Sequence, residues 1–144
     1  MALQLEQAGG REFSLLGEGE CRWLLEKKAL GRVAVSVGAL PAVFPVNYAM
    51  EGGTIYFLTG GGTKLAAAVR GSCVAFEIDE FDTRYHQGWS VLAVGKAEEV
   101  PDEAATRIFE RLALEPWAPG VRDHLVRIRP EFLSGRRIGF ATGS

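Results

Sequence analysis

The sequence predicts a mainly β domain, a small antiparallel barrel of six or seven strands decorated by short helices. Three observations carry this. Short runs rich in β-branched and aromatic residues alternate at period two, as where Val33, Val35 and Val37 interleave with Arg32, Ala34 and Ser36. Turn signals separate these runs at close spacing. Strands also do not alternate regularly with helices, as a parallel sheet would require.

Taken in order, residues 1–13 read as a loosely ordered tail, polar and carrying Gly9-Gly10, so the domain proper is 14–144. Over residues 18–30, Cys21, Leu24, Leu25 and Ala29 recur at helical spacing, and Lys27, Lys28 and Gly31 supply stop signals. A strand at 32–37 follows, then a turn at "GALPA". The next strand, "VFPVNYAM", holds Pro45, which suits an edge or a bulge. "EGG" makes a hairpin turn into the strand "TIYFLT", and "KLAAAVR" fits a short helix. "SCVAFEID" and "WSVLAVGKAEEV" are two more strands, with a bulge expected at Gly95. Pro101, Asp102 and Glu103 open a helix whose apolar face is Ala105, Ile108, Phe109 and Leu112. "HLVRIRP" and "GRRIGF" are the closing strands.

The bulk numbers exclude several functions. With 144 residues, 47% hydrophobic and 24% charged, the chain can bury a sizeable core in one domain. A formal net charge of -2 leaves no broad footprint for nucleic acid. No apolar run reaches bilayer length and no signal peptide opens the chain, so the expected location is cytoplasmic. Cys21 and Cys73 lack CxxC spacing and sit among apolar neighbours, which suggests buried free thiols. His86 and His124 have no ligand-spaced partner, against a dedicated zinc site.

The stretch "TGGGTKLAAAVRG" at 59–71 is the least ordinary. Glycines cost folding entropy, so a return is expected, such as backbone N–H groups and Lys64 gripping a phosphate at a helix start. A flexible hairpin connection with a solvated Lys64 is the alternative. The stretch is neither a Walker A loop nor a Rossmann fingerprint, because its hydroxyl precedes the lysine and no GxGxxG follows the strand. Among other residues, Asn47 needs a polar partner in an otherwise aliphatic strand. Glu77 and Asp79 share a face, as paired carboxylates or as a solvated strand end. His86 is either a proton donor near a substrate or a surface histidine, and no nucleophile–base arrangement is legible.

Several phrases together, "GRVAVSV", "PVNYAM", "IYFLTGGGTKLAAA", "VAFEIDEFD", "GWSVLAVGKAEEV", "PWAPG" and "RIRPEFLSGRRI", cover the chain from residue 18 in order. In them the sequence resembles the flavin-binding split-barrel family typified by pyridoxamine 5′-phosphate oxidase, in its small actinobacterial-type members. The resemblance implies a split β-barrel of FMN-binding type and a homodimer with cofactor clefts between subunits. It implies that Thr59, Thr63 and Lys64 hold the cofactor phosphate, and that Pro45, Val46, Asn47 and Tyr48 line the ring system. Trp89 and Ser90 would approach the ring edge, unless Trp89 is a core or interface residue. Arg129, Arg136, Arg137 and the loop bearing Trp117 would approach the cleft. Leu58 stands where relatives commonly carry arginine, which implies a grip weaker by about 1–3 kcal/mol.

The activity so implied is that of an FMN-dependent oxidoreductase passing electrons from a reduced donor to a small organic substrate or oxygen. Pyridoxamine phosphate is not the expected substrate, since the chain is short and that oxidase's substrate-phosphate residues have no counterparts here. The alternatives are a reductase using the deazaflavin coenzyme F420 and a non-catalytic flavin- or haem-binding, or ligand-free, dimeric module.

Overall fold

The computed structural model describes residues 7–8, 11–60, 63–112, 114 and 123–140. In chain order the elements are β1 (Gln7–Ala8), β2 (Arg11–Leu16), α1 (Glu18–Lys27), β3 (Leu30–Val37), β4 (Leu40–Glu51), β5 (Thr54–Gly60), α2 (Lys64–Val69), β6 (Cys73–Asp82), β7 (Gln87–Glu99), α3 (Asp102–Leu112), β8 (Asp123–Ile128) and β9 (Phe132–Phe140).

The strands form one antiparallel sheet ordered β1-β2-β9-β7-β6-β3-β4-β5-β8, and a further pairing of β7 with β8 closes part of it. Six strands therefore make a ring, β7-β6-β3-β4-β5-β8, while β9, β2 and β1 extend outward from β7. Two long strands change partner midway. β4 pairs with β3 through Leu40–Asn47 and with β5 from Tyr48 onward. β7 pairs with β6 up to Lys96 and with β8 from Ala97. These two seams split the barrel into a large and a small sheet. Pro45 lies where β4 has one neighbour only, the edge position its missing N–H suits.

Packing explains the elements. Cys21, Leu24 and Leu25 give α1 one buried face against the barrel. Across the ring, Val33, Val35, Ile55, Phe57, Phe76, Ile78, Val91, Ala93, Val126 and Ile128 fill the core. The other face of β5 is apolar too. Tyr56 and Leu58 join Leu125, Leu114 and Val100 beneath Ile108, Phe109 and Leu112 of α3. A bidentate contact from Arg111 to Glu51, 2.7 Å from Nε and 2.6 Å from Nη2, ties α3 to the end of β4. The β4–β5 hairpin turns on Gly52 and Gly53 at φ 58 and 81, both in the left-handed region that a two-residue turn needs.

Four sequence expectations are corrected. Residues 11–13, read as tail, belong to β2 and pair with β9. The pair Gly9-Gly10 lies outside the described residues. Gly95 sits in unbroken register with Val74, and its missing Cβ makes room for the Arg129 backbone carbonyl rather than for a bulge. Gly31 stops no helix. It is the second residue of β3, where a Cβ would stand 2.8 Å from Cε2 of Phe76 and closer still to its Cζ. Cys73 is exposed at the start of β6, whereas Cys21 is buried, where burial raises its thiol pKa. No helix of the described residues is long and apolar enough to cross a membrane.

Register fixes what the large sheet presents outward. Directly opposed residues share a face, so one row runs Val43, Ala34, Ala75, Val94, Phe132. The next row runs Pro45, Arg32, Glu77, Leu92, Ser134. Further along come Asp79, Ser90, Arg136, Leu15, and then Phe81, Gly88, Ile138, Phe13. Leu15, Leu30, Val43, Phe81, Leu92 and Phe132 are all exposed, Phe132 at 70%.

Candidate functional site

The strand–helix junction after β5 holds three of the expected phosphate ligands. Thr63 is the N-cap of α2. Its Oγ1 accepts from the Ala66 N–H at 3.1 Å and donates to the Gly60 carbonyl at 2.8 Å. Thr59 is buried beside β8 and donates to the His124 carbonyl at 3.5 Å. Lys64 is exposed, and among the described residues it has no ion-pair partner. Both hydroxyls are thus engaged within the chain, and the ammonium is the group at this junction that can receive an anion. Leu58 points the opposite way from Thr59, into the apolar cluster under α3. An arginine there would leave from the other face of β5, so Leu58 takes nothing from the Lys64 side.

The four β4 residues divide by alternation. Pro45 and Asn47 are exposed on the outward face. Val46 and Tyr48 are buried in the core, which leaves their backbone as the part of them placed to line a ring. Tyr48 packs edge-on against Phe76, centroids 4.8 Å apart, and its hydroxyl donates to the Leu25 carbonyl at 2.7 Å. Burial pushes this phenol's pKa well above its ordinary value.

A second cluster lies at the start of β7. Register sets Ser90 beside Arg136 and Trp89 beside Arg137. Trp89, Gly88, Ile138 and Gly139 line a groove of about 440 Å³ with Glu80, Asp82 and Arg137. The Lys28 ammonium stands 5.6 Å from the Trp89 ring centre and 2.8 Å from Glu80, while Arg137 reaches Glu20 at 3.1 Å. Arg136, like Arg129 just past β8, is exposed without an ion-pair partner among the described residues.

One chain does not bring the two clusters together. Thr59 shares a small cavity with Glu99, at the far end of β7 from Trp89. Ten residues of extended strand separate Trp89 from Glu99, a span of about 33 Å. Trp117, Gly61 and Gly62 lie outside the described residues. Among the described residues no group of three or more His, Cys, Asp or Glu could hold a metal ion.

Register also creates pairs that spacing does not reveal. Arg32 of β3 bridges the two carboxylates of β6, 3.4 Å from Glu77 and 2.7 Å from Asp79. Burial, and the neighbouring Asp79 carboxylate, push the Glu77 pKa up to about 7, against the pull of Arg32. The alternation in "EIDEFD" signals this pair, while its arginine comes from a strand 45 residues away. His124 Nδ1 lies 2.5 Å from Glu99, a contact without any local sequence signal.

Comparison with known proteins bears on the family and the fold. A family profile described as pyridoxamine 5′-phosphate oxidase matches residues 17–137. An uncharacterised protein of Mycobacterium tuberculosis is 38% identical over 133 residues, 89% of this chain and 87% of its own. The solved FAD-binding protein of Mycobacterium smegmatis superposes with a TM-score of 0.79 at 38% identity, covering 88% of this chain and 99% of that one. A crystal structure from Corynebacterium glutamicum, described as a putative pyridoxamine 5′-phosphate oxidase, gives a TM-score of 0.72 at 29% identity, covering 96% and 100%.

Proposed function

The chain belongs to the pyridoxamine 5′-phosphate oxidase family, and from that premise we propose that it is a flavin-nucleotide-dependent oxidoreductase working as a homodimer in the cytoplasm. The observation that carries the reading is Lys64, an exposed cation at the junction of β5 and α2 that has no carboxylate partner among the described residues. Among the described residues Arg129 and Arg136 likewise have no ion-pair partner, as is true of Arg70, Lys96 and Arg107, whereas Arg22, Arg32, Arg111, Arg127 and Arg137 all have acidic partners. Free cations on an acidic chain suit a ligand with a phosphate tail.

The residues fit a flavin nucleotide in part. Lys64 would hold the phosphate. Thr63 would keep α2 and its lysine in place through the cap. Pro45 and Asn47 would offer the outward edge of β4, and Ser90 and Arg136 would approach from the outward face of β7 and β9. When bound, the isoalloxazine supplies the hydride and electron transfer, so the chain needs no nucleophile or metal of its own. Val46 and Tyr48 contribute by fixing β4 from inside the core. A solved relative is described as FAD-binding, which supports the flavin class; FMN is the cofactor we propose, with FAD and the deazaflavin coenzyme as the competing ligands to test.

The dimer reading draws on two features. The candidate clusters stand at opposite ends of β7, and a second copy is the simplest way to join them. The outward face of the large sheet carries six exposed large apolar residues across contiguous strands.

The test is fluorescence titration of FMN, FAD and the deazaflavin coenzyme into apo-protein, with Lys64→Ala beside the wild type. Loss of a charge-assisted phosphate contact of about 1–3 kcal/mol weakens binding roughly 5- to 150-fold. Equal affinity in the variant would remove Lys64 from the site, and no binding of any of the three would end the oxidoreductase reading.

A further inference from the structure

We propose that association of two copies through the outward face of the large sheet is proton-linked, the assembly taking up protons at the Arg32–Glu77–Asp79 cluster and loosening as pH rises. This rests on the dimer reading above and adds its regulation.

The face approaches the size a dimer uses. It crosses β4, β3, β6, β7, β9 and β2, about 24 Å at the usual strand spacing, and from Ala75 to Phe81 it runs about 20 Å. That is about 500 Å² in flat projection, and more as accessible surface once Phe132, Val43 and Leu92 stand out of it. A stable dimer buries about 800 Å² per partner. The face also carries both signs of charge, Arg32 and Arg136 with Glu77 and Asp79, so a second copy meets complementary groups rather than a single-sign field.

The cluster lies inside this surface, not on its rim. Glu77 has Arg32 and Pro45 on one side and Leu92 and Ser134 on the other. The charged groups facing it are Arg32 from β3 and Asp79 from its own strand. β4 contributes neutral Asn47, and β7 neutral Ser90. Arg136 of β9 is separated from Asp79 by Ser90, about 10 Å across two strand spacings. One cation against two carboxylates leaves one negative charge. A twofold contact is isologous, so two such clusters enter the same dehydrated region. Arg32 stays charged and Arg136 lies about 10 Å off across two strand spacings, so protonation of one carboxylate on each copy is the neutralisation available within the cluster itself. Glu77 already titrates near 7 with the face uncovered.

The sign follows. Below about pH 7 Glu77 carries its proton whether or not the face is covered, and the dissociation constant is flat. Above that value the free chain loses the proton and the dimer retains it, so the constant rises with pH. Two protons per dimer set a ceiling of about 100-fold per pH unit, and the expected rise is about 10-fold or more between about pH 6.5 and about pH 8.5.

The experiment is sedimentation velocity on dilution series across this pH range, for wild type, Glu77→Gln and Leu92→Asp. If dilution cannot dissociate the dimer, subunit exchange between two labelled populations reads the same linkage. Glu77→Gln should dimerise with no pH dependence, and Leu92→Asp should weaken dimers at every pH. A wild-type constant indifferent to pH, or a Glu77→Gln variant that keeps the dependence, overturns the proton linkage and leaves the dimer standing. A dimer untouched by Leu92→Asp overturns the assignment to this face. A monomer under all conditions overturns the linkage and the dimer reading together, and flavin titration then decides separately whether the site survives.

Discussion

Gly31→Ala places a methyl group where β3 passes closest to β6. The new Cβ would lie 2.8 Å from Cε2 of Phe76 and 3.0 Å from Cε1, with Cζ nearer than either. Ordinary carbon contacts start near 3.5 Å, so the ring must retreat by about 1 Å or more. It has no room to do so. Phe76 is fully buried and stacked edge-on against Tyr48, which is held in turn by its hydroxyl bond to Leu25 of α1. Overpacking of this kind costs about 1–3 kcal/mol, and the pinned ring argues for the upper part of that range. Replacing glycine within a strand returns about 0.5–1 kcal/mol, for a net loss of about 2 kcal/mol. Thermal unfolding followed by near-UV circular dichroism should show it, with Tm lower by about 4–8 °C. Phe76→Leu in the same chain should cost less than the sum of the two single changes, because the shorter side chain vacates the contested space. A Gly31→Ala protein within about 0.5 kcal/mol of wild type would refute the account of why glycine stands there.

Tyr48→Phe keeps the ring and deletes the donor to the Leu25 carbonyl, leaving that oxygen buried without its partner. The expected loss is about 1–2 kcal/mol in urea unfolding. Arg111→Ala tests the tie between α3 and β4. The Arg111 hydrogen bonds hold the Glu51 carboxyl below the usual carboxylate range, a depressed folded-state pKa. Its contribution is therefore present above the unfolded carboxylate pKa of about 4.3 and lost as pH falls through the folded value. Amide exchange in α3 should be faster in Arg111→Ala than in wild type at neutral pH, and the two should converge in acid. A difference that persists in acid would place the effect in packing by the arginine stem instead.

The alternating valines of β3, the Gly52-Gly53 turn and the helix opening after Pro101 are readable because each signal is local. A period, a φ or a cap is decided within a few residues. Gly31 and Gly95 misled for the opposite reason. Their local context resembles a helix end and a bulge, yet what requires glycine is Phe76 in one case and the Arg129 carbonyl in the other, both distant in sequence. The site divides in the same way. Lys64 at a strand–helix junction can be picked from the glycine run alone, and its exposure suits a bound phosphate and a solvated ammonium alike. Val46 and Tyr48 could not be sorted from Pro45 and Asn47 without knowing which face of β4 meets the core. Arg32 could not be joined to Glu77 without the register of β3 on β6.

The closure of the ring by β8 has a consequence during synthesis. β5, complete by Gly60, finds β4 at once through a two-residue turn, but its other edge waits for Asp123–Ile128. Emergence of more than sixty further residues takes several seconds at about 5–20 residues per second. Through that interval Tyr56 and Leu58 have no Leu125 beside them, and α3 emerges before β8 to pack on the same apolar face. A helix packed there would cover the apolar face of β5 while its edge, a hazard for pairing with another copy, still waits for β8. A chain with α3 weakened should aggregate during translation before any loss shows in the finished fold.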